Sequence, residues 1–387
     1  MSKLSIAVLL SGREQFSVYY GGALARWTYE VYCRLQDQVD AKVFGFPTDP
    51  ESAYPLSHES STWWRACTVM SRVPLARRYE DYFWLRALMP RLRGFSAVHI
   101  HNRPQWATLL RSLGYRGSVI VHLQNDHLGH WTPAMLDAMA PDLDGLVVCS
   151  TYLGEQSIGK SAALALKTTV VFNGVNTKMF FPKEELREPK TIFFVGSFIP
   201  AKGPLQLVQA YARVLQSHPD AKLIIGGSTN FGTHEETEYV REVRQLAASV
   251  SQQRGASIEF PGYIHHDHEL PYFFQRTTLF SSPSLFQEPF GLVNAEAMAC
   301  ATPVVGSNRG GIPEVLGDTG RLIDPEDTAQ YADTLSELLS DSTERLRLSR
   351  ATLDRCRKIF DWDVIAKTWI SYLHNVTDTR PRAADCT

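Results

Sequence analysis

The chain has 387 residues, with 39 Lys and Arg against 41 Asp and Glu and a formal net charge of −2. That length favours two domains, and the charge balance offers no basic surface for nucleic acid, so no nucleic-acid partner is expected. Hydrophobic residues make up 44%, an ordinary share for a globular chain, and no run approaches the ~18 apolar residues of a membrane span.

The six Cys, at 33, 67, 149, 300, 356 and 386, form no C-x-x-C pair and no zinc spacing. Reduced thiols in a cytoplasmic protein are therefore expected. The apolar run Ile6 to Leu10 ends at Ser11-Gly12. It lacks the cleavage pattern of a signal peptide and reads as a buried strand. In the first half, strands are expected over Ser5–Leu10, Ala41–Phe46, Ala97–Ile100, Ser118–Leu123, Gly145–Cys149 and Thr169–Phe172. These runs are apolar without alternation, as in parallel strands covered on both faces. A helical stretch, Ala23 to Leu35, follows Gly21-Gly22.

Residues 61–93 carry seven Arg interleaved with Trp63, Trp64, Tyr79, Tyr82, Phe83 and Trp84. The pattern fits a helix pair covering the first sheet. It also fits an anionic acceptor pocket or a peripheral contact with the inner membrane face.

The charged, proline-bounded stretch Pro182 to Pro189 reads as an interdomain linker. Beyond it, strands are expected at Thr191–Val195, Lys222–Ile225, Ile258–Phe260, Thr278–Phe280 and Pro303–Val305, with a helix over Gly203–Gln216. The expected fold class is α/β, two doubly wound Rossmann-like domains facing across a cleft, with ligand at the strand C-termini. The domains are placed at 1–182 and 190–360. A final helix at 361–376 is expected to cross back to the first domain, followed by a disordered tail at 377–387.

The most informative segment is Gln287-Glu-Pro-Phe-Gly-Leu-Val-Asn-Ala-Glu296. Pro289 and Gly291 lie between two carboxylates, and a helical run begins at Leu292. Glu288 is thus expected on a loop at a helix N-terminus, with Glu296 about a turn inside the helix. A helix start suits phosphate, and ionised carboxylates suit sugar hydroxyls. The ligand implied is a nucleotide-sugar.

The block from Glu288, with Thr302-Pro-Val-Val and Gly310-Gly-Ile-Pro-Glu314, resembles the E-x7-E region of retaining glycosyltransferases of family 4, which have the GT-B fold. The resemblance extends over most of the chain. Asn173-Gly174 is similar to the family's turn at the end of the first domain, and Gly21-Gly22 to its flexible loop against the donor diphosphate. Gly196-Ser-Phe-Ile-Pro-Ala-Lys-Gly203 resembles a strand-end loop that places Lys202 on the diphosphate, with Ser197 where an arginine is usual. A hydroxyl lacks the bidentate reach of a guanidinium. The segments Val98-His-Ile-His-Asn-Arg-Pro104 and Val121-His-Leu-Gln-Asn-Asp126 resemble those of a bacterial branch containing spore-coat and surface-polysaccharide enzymes. There Gln124 replaces a histidine, so its role is positional or is taken over by Asp126 or His127. His99 and His122 read equally well as buried structural histidines. The turn from Tyr263 through His265-His266-Asp267-His268 is placed near the nucleotide base.

The resemblance implies a cytoplasmic hexosyltransferase of polysaccharide or glycoconjugate biosynthesis. The implied donor is a nucleoside-diphosphate-sugar of UDP or GDP type. The acceptor is a glycan, a lipid-linked or a small molecule, and no metal or other cofactor is implied. Glu288 would hold donor sugar hydroxyls, and Glu296 the ribose. Lys202 and the amides of Phe290, Gly291 and Leu292 would stabilise the leaving diphosphate. Gln124 and Asp126 would act from the first domain. Two other readings stay open: a non-catalytic nucleotide-sugar-binding protein, motivated by Ser197 and Gln124, and a GT-B nucleotide-sugar epimerase.

Overall fold

The computed structural model describes residues 3–10, 14–19, 21–46, 48–60, 79–229 and 236–378. The chain forms two compact units, Met1–Asn173 with Trp362–Thr387, and Gly174–Asp361.

In the first unit the elements run β1 (Leu4–Leu9), α1 (Ala23–Arg34), β2 (Val39–Gly45), β3 (His58–Ser60), α2 (Glu80–Leu92) and β4 (Ala97–His101). They continue with α3 (Gln105–Ser112), β5 (Ser118–Leu123), α4 (Pro133–Met139), β6 (Gly145–Val148), α5 (Thr151–Ile158), α6 (Ala162–Ala165) and β7 (Thr168–Val170). Their seven-stranded sheet has the order β3-β2-β1-β4-β5-β6-β7. Every pairing in it is parallel, as with Ile6 opposite Ala41 and Ala97, and His101 opposite His122. The unalternated apolar runs are explained by cover on both faces: every residue of β5 is buried. Helix α1 buries Leu24, Trp27, Thr28 and Val31, the stripe of a surface helix.

The second unit repeats the pattern. It contains β8 (Thr191–Val195), α7 (Pro204–Val214), β9 (Lys222–Gly226), α8 (Glu238–Arg254), β10 (Ser257–Gly262), α9 (Leu270–Arg276) and β11 (Leu279–Ser282). Then come α10 (Leu292–Ala299), β12 (Val304–Ser307), α11 (Ile312–Leu316), β13 (Arg321–Ile323), α12 (Thr328–Ser340) and α13 (Ser342–Arg355). This parallel six-stranded sheet has the order β10-β9-β8-β11-β12-β13. The order reverses between β8 and β11, the position where open α/β sheets bind ligands. The expected α/β class of two Rossmann-like domains is the one observed.

The last helix, α14 (Trp362–Asp378), belongs to the first unit. Its Trp362, Ile365, Trp369 and Leu373 join the core formed by Trp27, Val31 and Tyr32.

Two expectations need correction. The boundary lies at Asn173/Gly174, ahead of the charged Pro182–Pro189 stretch. That stretch is part of the second unit, and two of its charges, Arg187 and Glu188, are engaged there. Arg187 donates to Thr277 O and, at 3.1 Å, to Thr302 Oγ1, while Glu188 accepts from Arg276 Nε at 2.9 Å. In the Arg-aromatic region, residues 61–78 lie outside the described residues. In the described part, Trp84 is core rather than a headgroup contact: it is fully buried, 4.7 Å from Trp106. Among the described residues no helix is long and apolar enough to cross a membrane.

Candidate functional site

The residues of greatest interest in the second unit gather where its strand order reverses. The loop after β8 ends in a 3-10 turn, Pro200–Lys202, and the loop after β11 leads into α10. The loops are joined through Ala201 O, which accepts from Leu285 N at 2.8 Å and Ser284 Oγ at 3.1 Å. This joint carries Lys202 Nζ to Glu288 Oε1, which also accepts from Ser284 Oγ at 2.8 Å. Behind Glu288 stands Gly310 with φ +64, where a Cβ would lie 2.2 Å from Glu288 O and 2.5 Å from its N. Gly311 N closes the cradle, donating to Glu288 O at 2.7 Å.

Helix α10 begins after Gly291, which has φ +87, and no side chain caps it among the described residues. An uncapped start carries the partial positive charge of unpaired amides. Phe290 is buried against Phe360, at 5.6 Å. Inside the helix, Glu296 is 2% exposed. Its Oε1 meets His266 Nε2 at 2.5 Å, and its Oε2 has no hydrogen-bond partner among the described residues. His266 Nδ1 meets Asp267 Oδ1 at 2.6 Å. Tyr263 packs edge-on against His265, at 5.1 Å. Ser197 is exposed after β8.

The other candidates lie in the first unit. At Gly21-Gly22 the start of α1 is already met by an anion, since Glu14 Oε1 accepts from Ala25 N at 2.9 Å. Burial pushes the Glu14 carboxyl up, against the amides of Ala25, Gly22 and Leu24, which hold it down. Gln124 is buried after β5; its backbone amide donates to Asn102 Oδ1 at 2.8 Å, and its side-chain NH2 has no partner among the described residues. Asp126 accepts from Gly129 N of its own turn at 2.6 Å and from Ser157 Oγ of α5 at 2.8 Å. The structure thus joins Lys202 with Glu288 directly. Glu296 lies on the helix that Glu288 precedes.

His99, His101 and His122 bring ring nitrogens within 4.8 Å of one another, fully buried. Their contacts are those of a core. Tyr32 Oη meets His99 Nδ1 and Thr28 Oγ1 meets His101 Nε2, each at 3.0 Å, and Trp27 lies 4.6 Å from the His122 ring. His99 has both ring nitrogens engaged, Nδ1 by Tyr32 and Nε2 by His122 Nδ1 at 3.3 Å, so a metal would have to displace a protein contact. Burial holds all three well below the usual imidazole range, His122 down to about 3. Two Asp-x-Asp triplets are present, and their carboxylates are engaged within their own units. Asp142 accepts from Thr108 Oγ1 and Asp144 from Arg111, each at 2.6 Å; Asp361 accepts from Thr177, and Asp363 from Arg34 at 2.7 Å.

The motifs did not single out Ser284, Glu14 or the His266–Glu296 contact. Gly310 was quoted, yet its pressure on Glu288 depends on a long-range approach that spacing does not encode.

Comparison with known proteins gives the same picture. Residues 175–355 match the family model described as glycosyl transferases group 1. The chain is 30% identical over 297 residues to spore coat protein SA of Bacillus subtilis (strain 168), covering 72% of this chain and 78% of that one. It is 32% identical over 242 residues to the D-inositol 3-phosphate glycosyltransferase of Corynebacterium efficiens, covering 57% and 54%. The crystal structure of Anabaena Alr3699/HepE in complex with UDP superposes with a TM-score of 0.74 at 19% identity, over 96% of this chain and 100% of that one. That likeness is one of fold, the GT-B type. The chain belongs to the group 1 glycosyl transferases.

Proposed function

We propose that the protein moves a glycosyl group from a nucleoside-diphosphate-sugar, of UDP or GDP type, to a sugar-bearing acceptor, with retention and without a metal. The observation that carries this reading is the Glu288 carboxylate fixed by Lys202 and Ser284 directly before the uncapped start of α10. In this reading the anomeric C–O bond breaks and its electron pair leaves on the diphosphate oxygen. Lys202 and the amides of Phe290, Gly291 and Leu292 offer preorganised positive charge to that oxygen. Glu288 accepts hydrogen bonds from the donor sugar and orients its ring. The acceptor hydroxyl attacks from the same face and gives its proton to the leaving phosphate. HepE, a protein of the same fold, crystallised with UDP, which supports a uridine donor. The buried NH2 of Gln124 would donate to a sugar hydroxyl. The acceptor is a glycan, a lipid-linked or a small molecule, and the reaction is cytoplasmic.

Mass spectrometry and proton NMR of the purified protein with a panel of UDP- and GDP-sugars and sugar acceptors test this. Transfer with an unchanged anomeric configuration and full activity in EDTA is the expected result. Nucleotide binding without transfer or slow donor hydrolysis would make it a binding protein. Conversion of the donor sugar without acceptor would make it an epimerase. An inverted product would overturn retention.

A further inference from the structure

We infer that His266 is a positioning residue that sets which oxygen of Glu296 faces a vicinal diol, the ribose of the bound nucleotide. The inference rests on the donor reading above and adds a residue to it.

A carboxylate as buried as Glu296 is costly unless it is paired. Among the described residues its hydrogen bonding is one-sided. Oε1 is held by His266 Nε2 at 2.5 Å, and Oε2 is unmatched. The imidazole is itself fixed. Its second nitrogen meets Asp267 Oδ1 at 2.6 Å, and Phe180 packs edge-on against it with ring centres 5.2 Å apart. Ionised carboxylates only accept, so a ring bound to one at each nitrogen donates from both. Asp267 thus anchors the outer nitrogen, and the inner one anchors Oε1. With Oε1 fixed, the carboxylate plane cannot turn about its last bond, and Oε2 keeps a single direction.

An acceptor oxygen with no protein partner is matched by a hydroxyl donor. A pair of adjacent hydroxyls suits one carboxylate, because one can reach each oxygen. His266 has no need to touch the ligand. Removing it would free Glu296 to rotate, and what is lost is the selectivity of Oε2.

The test is calorimetric titration of the full chain with UDP, GDP and their 2′-deoxy forms. The wild type is expected to prefer the ribonucleotide by about tenfold or more. In His266→Ala the ratio should fall to within about threefold of unity, mostly through weaker ribonucleotide binding. His266→Arg, which can again donate to both carboxylates, should restore part of the preference. Equal weakening of both forms in His266→Ala, with the ratio kept, would overturn the inference and leave His266 a structural residue. If the alanine variant does not fold, Asp267→Asn gives the same readout, with a smaller drop in the ratio expected and an unchanged ratio overturning the inference. A wild type that binds both forms equally would overturn the Glu296 assignment, and one that binds neither nucleotide would overturn the donor reading.

Discussion

Lys202 and Glu288 form an ion pair between the loop that ends β8 and the loop that opens α10, with the Ser284 hydroxyl as a further donor to the same carboxylate. The lysine side chain is 32% exposed, so solvent screens the pair and its value to the fold is small. On the proposed reading its value to a departing diphosphate is larger. Lys202→Ala should lower kcat/KM by about 10²–10³-fold, while changing unfolding free energy by no more than about 1 kcal/mol. Steady-state kinetics beside a urea titration checks both, and a loss of activity explained by unfolding contradicts the assignment.

Gly310→Ala should damage the donor site through backbone alone. The position has φ +64, and the new Cβ would meet Glu288 O and N. The conformation costs about 1–3 kcal/mol, and the contact must move Glu288. Gly255→Ala is the control, since Gly255 also has positive φ (+65) but nothing within 4 Å of its Cβ position. Calorimetry with a nucleotide-sugar should show weaker binding for the first variant and unchanged binding for the second.

Acid should unfold the first unit early. His99, His101 and His122 are fully buried, and their folded-state pKa values lie below the free value of 6.5, His122 at about 3. The unfolded chain therefore takes up protons that the folded chain refuses. Stability is complete above the free value and falls as pH drops through it toward the folded values. Each histidine adds up to about 1.4 kcal/mol per pH unit in that window. Urea titrations from about pH 7.5 to about pH 5.5 should show the slope, and His122→Gln should remove about a third of it.

Trp369→Ala should destabilise the chain by about 3–5 kcal/mol. The indole is fully buried, 5.0 Å from Trp27 and 4.6 Å from His99. Denaturant midpoints followed by fluorescence measure the loss. A change below about 1 kcal/mol would show that α14 contributes little to this core.

The central strands were legible because parallel pairing requires unbroken apolar runs, and Ser118–Leu123 and Thr191–Val195 were read to the residue. The edges were not. β3 is His58-Glu-Ser60 and β13 is Arg321-Leu-Ile323, too short and polar to stand out. Glu288 and Glu296 were legible because proline, glycine and helix chemistry are local. Lys202 was legible too, but Ser284 and His266, which also hold these carboxylates, were not. His266 sits among other histidines in a turn, and only the fold brings it to Glu296. Asp126, a catalytic candidate at a strand end, accepts from Gly129 N and from Ser157 Oγ on α5, and the second contact was likewise not legible from spacing.

Because Trp369 and its neighbours on α14 complete the core begun by Trp27, the first unit is discontinuous in sequence. A ribosome must make the whole of Gly174–Asp361 before that core can close. At ~5–20 residues per second this is a wait of roughly ten to forty seconds. During that interval the nascent first sheet holds an unfilled apolar seat, so chaperone dependence during translation should centre on the early half of the chain, and a release from the ribosome before α14 emerges would strand it unfinished.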